Sequence, residues 1–170
     1  MAIETADINK VYLSGGVANS DSDASVGGEI SSVELTSNVL HNLFDLVNST
    51  EAVDGDIEYR CFYVKNRHPT ITLFSPKVWI ATNVANGESA LDIGVGTSAV
   101  NGVEQEVADE TVAPSGVVFT RPTSRAAGLT LGNLAPGETK AIWVRRTVNA
   151  ASIAVNNANA SIGFGGDTTA

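Results

Sequence analysis

Short stretches of alternating apolar and polar residues run through most of the chain and predict β-strands. The clearest is residues 57–65, where aromatic and β-branched side chains predominate. Further strands are predicted at residues 10–13, 71–74, 77–82, 90–95, 116–120, at both ends of 129–148, and at about 158–164. With turn signals recurring about every 8–12 residues, this pattern is typical of an antiparallel β-sandwich.

Two dipeptides mark tight turns between these strands. Asn101-Gly102 suits the left-handed positions of a type I′ turn and predicts a hairpin. In residues 129–148, Pro136 presets φ and Gly137 accepts a positive φ, so this stretch is predicted to be strand, turn and strand.

One segment has a helical pattern instead. In residues 38–47, Leu40, Leu43, Phe44 and Val47 recur at the spacing that places side chains on one face of a helix. A short helix is therefore predicted here, and we expect it to cover one open end of the sandwich.

The chain is expected to form one domain preceded by an extended N-terminal arm. Residues 14–32 are rich in glycine and small polar residues, which favour turns and contribute little to a core. We therefore predict an arm and loop in residues 1–32. Residues 33–170 are predicted to form a single all-β domain, an antiparallel β-sandwich of immunoglobulin-like or jelly-roll type.

The net charge is −9, and it is unevenly distributed. Residues 1–60 hold eleven acidic and two basic side chains, whereas residues 61–170 hold eight of each. The negative total argues against binding to nucleic acid or to an anionic membrane surface. The asymmetry fits a solvated acidic surface, or complementary faces that meet between neighbouring subunits.

The N-terminus and the cysteine content favour synthesis in a reducing cytoplasm. The first residues have no basic region followed by an apolar run, so we expect no secretion signal. Cys61 is the single cysteine, which does not fit the paired pattern of small secreted domains. Because it lies in the strongest strand pattern, we expect Cys61 to face a core or an interface.

No catalytic, cofactor or metal site is predicted, and the chain is not expected to be an enzyme. His41 and His68 belong to no motif that supplies a nucleophile or a second metal ligand. Asp21 and Asp23 resemble two ligands of a calcium loop, but the remaining spacing is missing, which favours a solvated turn. The four acidic residues within 104–110 are expected to be exposed in a loop.

Binding to another protein is the function for which the sequence offers candidates. Tryptophan and arginine are frequent anchors of interfaces, and Trp143, Arg145 and Arg146 follow one another in a predicted strand. Asp21 and Asp23 are the corresponding acidic candidates. Because neighbouring strand residues point to opposite faces, one arginine must reach the strand end or pair with a carboxylate. The alternative is a core or edge Trp143 beside exposed arginines.

Four segments together carry a resemblance. They are Leu-His-Asn-Leu-Phe-Asp-Leu-Val at 40–47, Gly-Asp-Ile-Glu-Tyr-Arg-Cys-Phe-Tyr-Val-Lys-Asn at 55–66, Ile-Gly-Val-Gly-Thr-Ser-Ala-Val-Asn-Gly-Val-Glu-Gln at 93–105, and Ala-Ile-Trp-Val-Arg-Arg-Thr-Val at 141–148. They resemble virion-associated structural proteins of tailed bacteriophages. That class includes capsid decoration (cement) proteins, which are often small β domains that bind the outside of the shell, commonly as trimers, and it includes tail components.

The resemblance implies a capsid decoration protein that bridges major capsid subunits. The expected partners are the major capsid protein and copies of the chain itself, as a homotrimer, and the expected location is the virion. No catalytic residue is implied. One alternative is a tail, neck or fibre-attachment component. Another is a host-surface carbohydrate-binding module, which would need exposed aromatic residues such as Trp79 or Trp143.

Overall fold

The computed structural model describes residues 10–39, 41–84, 87–153 and 159–169. Two antiparallel sheets pack face to face, which confirms the predicted all-β sandwich with one short helix. The elements in chain order are β1 (Val11–Ser14), β2 (Ile30–Leu35), α1 (Ser49–Asp54), β3 (Asp56–Lys65), β4 (Phe74–Thr82), β5 (Ser89–Val95), β6 (Leu129–Thr130), β7 (Thr139–Val148) and β8 (Ser161–Asp167).

The larger sheet has five strands in the order β2-β1-β3-β7-β5, and the smaller sheet has three in the order β6-β4-β8. β3 and β7 pair over their full ten-residue lengths, from Asp56 opposite Val148 to Lys65 opposite Thr139. This ladder is the centre of the larger sheet.

The main core lies between the two sheets. β-Branched and other bulky apolar side chains from one face of β3, β5 and β7 meet those of β4 and of the segment after β6. Its buried members are Phe62, Val64, Leu73, Val78, Ile80, Ile93, Leu131, Leu134, Ile142 and Val144.

The outer face of the larger sheet is also covered, here by loops. Tyr59, Cys61, Tyr63, Ala141 and Trp143 are buried on this face. Side chains from β1, from β2 and from the loop that follows β5 pack against them, namely Tyr12, Ile30, Val107, Val117 and Phe119. Burial on both faces explains the uninterrupted apolar run from Cys61 to Val64 in β3, since alternation appears only where one face meets water.

Residues 10–32 do not form the expected extended arm. β1 lies inside the larger sheet, hydrogen-bonded to β2 on one side and β3 on the other. The loop after β1 folds against β3, where the Cys61 N–H donates to the Ser25 carbonyl at 2.7 Å and Ser25 is fully buried. Residues 1–9 of the predicted arm lie outside the described residues.

The helix lies later in the chain than predicted. Asn38 and His41 have positive φ angles of 62° and 57°, which an α-helix does not tolerate, and Leu40 lies outside the described residues. Instead, Asn48 caps α1: its Oδ1 accepts the Thr50 and Glu51 N–H groups at 2.9 and 3.1 Å. The Glu51 carboxylate accepts the Asn48 N–H in return, which completes a capping box.

The two predicted hairpins are absent, because the strands beside each turn pair elsewhere. β6 belongs to the smaller sheet, whereas β7 belongs to the larger one, so residues 131–138 cross between the sheets. The turn at Asn101, with φ 61°, does not join paired strands, since β5 pairs with β7. Residues 116–120 contribute one isolated bridge, from Thr120 to Ile93.

β8 closes the smaller sheet, and its glycines make room for Trp79. Gly163 is paired with Trp79 of β4, and a Cβ at Gly163 would lie 2.3 Å from Trp79 Cε2. The indole ring therefore lies directly on the backbone of β8. The predicted final strand included Ala158, which lies outside the described residues.

We expect Gly163→Ala to destabilise the fold by about 1–2 kcal/mol, because the new methyl group forces the indole off the strand. In a Trp79→Ala background the same change should leave the free energy of unfolding unchanged or raise it slightly, since alanine loses less conformational entropy on folding than glycine does. Urea unfolding of the four chains of this double-mutant cycle measures the coupling.

Gly165→Ala is the matched control, because its Cβ would lie 3.7 Å from the nearest Trp79 atom, an ordinary contact. An equal loss from Gly163→Ala in both backgrounds would contradict the stacked arrangement.

Candidate functional site

Consecutive residues of β7 carry the predicted interface side chains to opposite faces of the larger sheet. Arg145 lies opposite Tyr59 of β3 and shares the outer face with Trp143. Arg146 lies opposite Glu58 and shares the inner face with the main core. Arg146, on the core side, pairs with Asp45 and Glu58, which confirms the prediction that one of the two arginines must reach the strand end or pair with a carboxylate. Arg145 pairs with Asp92.

Arg60 is the most deeply buried charge on the inner face, with no exposed side-chain surface. Its Nη2 lies 3.1 Å from Asp23 Oδ1 and 3.9 Å from Glu58 Oε1, and it also forms an ion pair with Glu110. Asp23 and Glu110 come from the loops that follow β1 and β5, so one strand residue ties both loops to the sheet.

Arg146 lies beside Arg60 and shares Glu58 with it. Its Nη2 lies 2.9 Å from Asp45 Oδ1, and its Nη1 donates to the Asp45 carbonyl at 2.6 Å. The ring of Phe44 covers both arginines, with its centroid 5.0 Å from Cζ of Arg146 and 5.5 Å from Cζ of Arg60. We call the two arginines and the four carboxylates around them the arginine cluster.

Glu58 has the most perturbed carboxylate in the arginine cluster. Burial raises the pKa of Glu58 to about 7, although the neighbouring Arg146 and Arg60 act in the opposite direction. Its side chain is only 3% exposed, so desolvation of the charged form is the physical cause. The charge of the cluster therefore changes near neutral pH.

Asp21 and Asp23 have different roles. Asp23 reaches Arg60, so the structure joins this predicted residue to Arg146 through the arginine cluster. Asp21 stays in its own loop, where its Oδ1 accepts the Asp23 N–H at 3.0 Å. Asp21 therefore shapes the turn that presents Asp23.

A second charged group lies on the outer face. Asp92 accepts two hydrogen bonds from Arg121, at 2.9 and 3.2 Å, and one from Arg145 at 2.7 Å. Burial alone would raise the pKa of Asp92, but these hydrogen bonds outweigh it and hold the pKa below its usual range. The Arg145 guanidinium also lies over the Phe119 ring, 5.3 Å from its centroid. Arg145 keeps about a third of its side chain exposed.

The structure corrects the expectation that Trp143 is an interface anchor. Trp143 is 0% exposed and packs in the outer-face core with Cys61 and Ala141. A Cβ at Gly94, its neighbour on β5, would lie 2.4 Å from Val117, so the missing side chain lets the covering loop close over this region. Trp143 has no surface left with which to contact a partner.

Glu104 was expected to be exposed but is 2% exposed. Its carboxylate accepts the Ser98 N–H at 2.9 Å and the Thr97 hydroxyl at 3.1 Å. Although burial raises the pKa of Glu104, these hydrogen bonds outweigh that effect and lower it. The glycine at position 96 is the available sequence signal, since a Cβ there would lie 2.3 Å from Glu104 Oε2.

A basic groove of about 400 Å³ lies at the opposite end of β3 from the arginine cluster. Its lining includes Tyr12, Lys65, Arg67, His68 and the Pro136-Gly137 turn. Lys65 Nζ lies over the Tyr12 ring, 5.8 Å from its centroid. The sequence did not reveal this groove, because its residues come from separate segments of a chain that is acidic overall.

The described residues offer little for covalent or metal chemistry. Within residues 10–39, 41–84, 87–153 and 159–169, no group of three or more His, Cys, Asp or Glu side chains is arranged to hold a metal ion. Cys61 is a free, fully buried thiol as expected, and burial raises its pKa far from neutral pH. The thiolate that nucleophilic chemistry requires is therefore disfavoured.

We expect Arg60→Met to destabilise the fold by about 3 kcal/mol, because it removes one member of a buried ion cluster. Arg125→Met is the matched control, since Arg125 pairs with Asp167 at 2.6 Å but both side chains are about half exposed. The control should cost less than about 1 kcal/mol. Equal shifts of the two urea midpoints would contradict the structural role of Arg60.

We also expect Glu58→Gln to change the pH dependence of stability. Because folding raises the pKa of Glu58 from 4.5 to about 7, the stabilisation linked to its protonation is complete below pH 4.5 and is lost as pH rises through 7. Relative to the native chain, the glutamine variant should therefore gain roughly 2–3 kcal/mol between pH 4.5 and 8.

Urea unfolding across this pH range measures the effect. Glu34→Gln is the control, because the hydrogen bond from Lys10 lowers the pKa of Glu34 and so moves its titration below this range. A difference between Glu58→Gln and the native chain that does not vary with pH would contradict the assignment.

Comparison with known proteins gives no relative: no protein-family model, curated protein or solved structure matches the chain. In the part of the chain that the structure describes, no helix has the length and apolarity needed to cross a membrane.

Proposed function

We propose that this chain is a structural protein of a tailed bacteriophage particle, and specifically a capsid decoration protein that binds the outer shell and bridges major capsid subunits. The observation that carries the proposal is that all four segments of the resemblance belong to one contiguous unit of the fold. Residues 55–66 and 141–148 include nearly all of β3 and β7, and residues 93–105 begin in β5, which is the next strand of the same sheet.

The fourth segment, residues 40–47, joins this unit at the arginine cluster. It supplies Phe44, which covers both arginines, and Asp45, which binds Arg146. The four segments thus contribute to three strands of the larger sheet and supply residues that cover and pair with its buried arginines. This supports a similarity of fold with the phage proteins, rather than a chance likeness of short motifs.

The described surface suits contact with proteins better than capture of a small molecule. Ligand sites are usually enclosed, mostly apolar cavities. The basic groove is open, and Lys65, Arg67 and His68 line it together with Pro69 and the Pro136-Gly137 turn. Exposed arginine with aromatic support, as at Arg145 over Phe119, is typical of protein interfaces.

The alternatives are supported less well. A carbohydrate-binding module needs an exposed aromatic platform, and Trp143 is buried while Trp79 is half-buried against β8. A tail, neck or fibre-attachment component would use the same framework, so copy number rather than fold separates it from a decoration protein.

The test is the stoichiometry of the protein in purified particles, measured by quantitative mass spectrometry against the major capsid protein. A decoration protein should be present at a fixed ratio to the capsid subunit, in hundreds of copies. A dozen or so copies would overturn the decoration role in favour of a tail or neck component. Absence from the particle would reject the virion role altogether.

A further inference from the structure

The two ends of β3 carry opposite charge. The half of the strand that begins at Asp56 holds the arginine cluster together with Glu51, Asp54 and Asp56. These are seven carboxylates and two guanidiniums, a net of −5 when Glu58 is ionised and −4 when it is protonated. The end where the strand finishes holds Lys65 and the basic groove. A ten-residue strand rises about 3.3 Å per residue, so the two ends are separated by roughly 30 Å.

The acidic end presents carboxylates that the fold does not neutralise. Asp54 is the last residue of α1 and is exposed, and Asp56 is the first residue of β3 and is half-exposed. Neither forms an ion pair within the described residues. They lie at the end of the sheet where Arg60 and Arg146 already pair with other carboxylates.

The basic end presents donors that the fold does not fully use. Lys65 has a ring contact with Tyr12 but no ion pair among the described residues. Arg67 lies 3.4 Å from Glu34, a carboxylate that it shares with Lys10. One carboxylate therefore faces two cations here, and Lys65 adds a third.

His68 also lines the groove. Its side chain is 97% buried by the surrounding chain, and its Nδ1 accepts the N–H groups of Thr70 and Ile71 at 3.2 and 3.0 Å. A nitrogen that accepts two hydrogen bonds carries no proton, so in the neutral ring the proton is on Nε2. Nε2 is the donor left over for a group that enters the groove.

We propose that the basic groove binds the acidic end of a second copy of this chain, with carboxylates such as Asp54 and Asp56 entering near Lys65, Arg67 and His68. The charges of the two ends are complementary, and each copy carries both. The contact is heterologous, head to tail, so repetition gives a closed ring or an open filament. The inference rests on the proposed structural role for the presence of many copies side by side.

The test is a charge swap, read by sedimentation velocity on the full chain. Lys65→Glu with Arg67→Glu reverses the groove, and Asp54→Lys with Asp56→Lys reverses the acidic end. Because like charges then face each other, each double variant alone should associate at least about tenfold more weakly than the native chain. An equimolar mixture should regain association, since each contact between the two different variants again joins opposite charges.

Lys77→Glu with Arg125→Glu is the control. It changes the net charge by the same amount as the groove reversal, but on the smaller sheet and the segment before β6, and it should leave association unchanged. Native association should also weaken in high salt, which screens exposed charges. Circular dichroism confirms that each variant is folded.

Three outcomes would overturn the inference. The first is a native chain that stays monomeric at high micromolar concentration in low salt. If a glutamate-rich peptide then binds to that monomer, the partner of the groove is a different acidic protein. The second is self-association that persists in both charge-reversed double variants. The third is an equimolar mixture of the two double variants that does not regain association. Self-association is measured on the purified chain, whereas the virion role is tested by stoichiometry in particles. Each proposal can therefore fail while the other stands.

Discussion

The desolvation of Arg60 is the constraint on which most of this structure depends. A guanidinium with no exposed side-chain surface is stable only when carboxylates surround it. The chain meets this requirement by folding the loops after β1 and β5 onto the sheet, so that Asp23 and Glu110 reach the same nitrogen. The segment before α1 adds Phe44 and Asp45 through the neighbouring Arg146. The two loops and the segment before α1 are thus held in place by Arg60 of β3 and Arg146 of β7.

The coverage of the larger sheet on both faces follows from the same arrangement. Once the loop after β5 is fixed, its Val107, Val117 and Phe119 lie over the outer face and help to bury Trp143 and Cys61. Glycines set how close the loops come, as Gly94 does beneath Val117. The molecule is therefore a two-sheet sandwich with a third layer made of loops, and the third layer depends on ion pairs as much as on apolar packing.

Sequence patterns predicted the strands better than their connections. The run at residues 57–65 and the alternation in β7 contain local information, so the pairing faces of Arg145 and Arg146 could be deduced before any coordinates. The failed hairpin at Pro136-Gly137 shows the limit, because local turn chemistry does not say which sheet a strand joins. The misplaced helix shows another limit. The apolar spacing at 38–47 reflects packing of Phe44 on the core and the arginines. The helix begins instead after Asn48, whose capping box with Glu51 was not recognised in the sequence. The arginine cluster could not be predicted, since it joins residues that are far apart in sequence.

The first and last strands in the described part of the chain are attached very differently, and this difference affects how the molecule responds to mechanical load. β1 is hydrogen-bonded on both sides, to β2 and β3, whereas β8 is bonded on one side, to β4, with irregular register. Tension applied through the segments beyond β1 and β8 is therefore borne first by the single ladder of β8. That ladder therefore separates before the larger sheet is disturbed. Detachment of β8 from β4 and from the Trp79 ring relieves the tension while the rest of the fold stays intact.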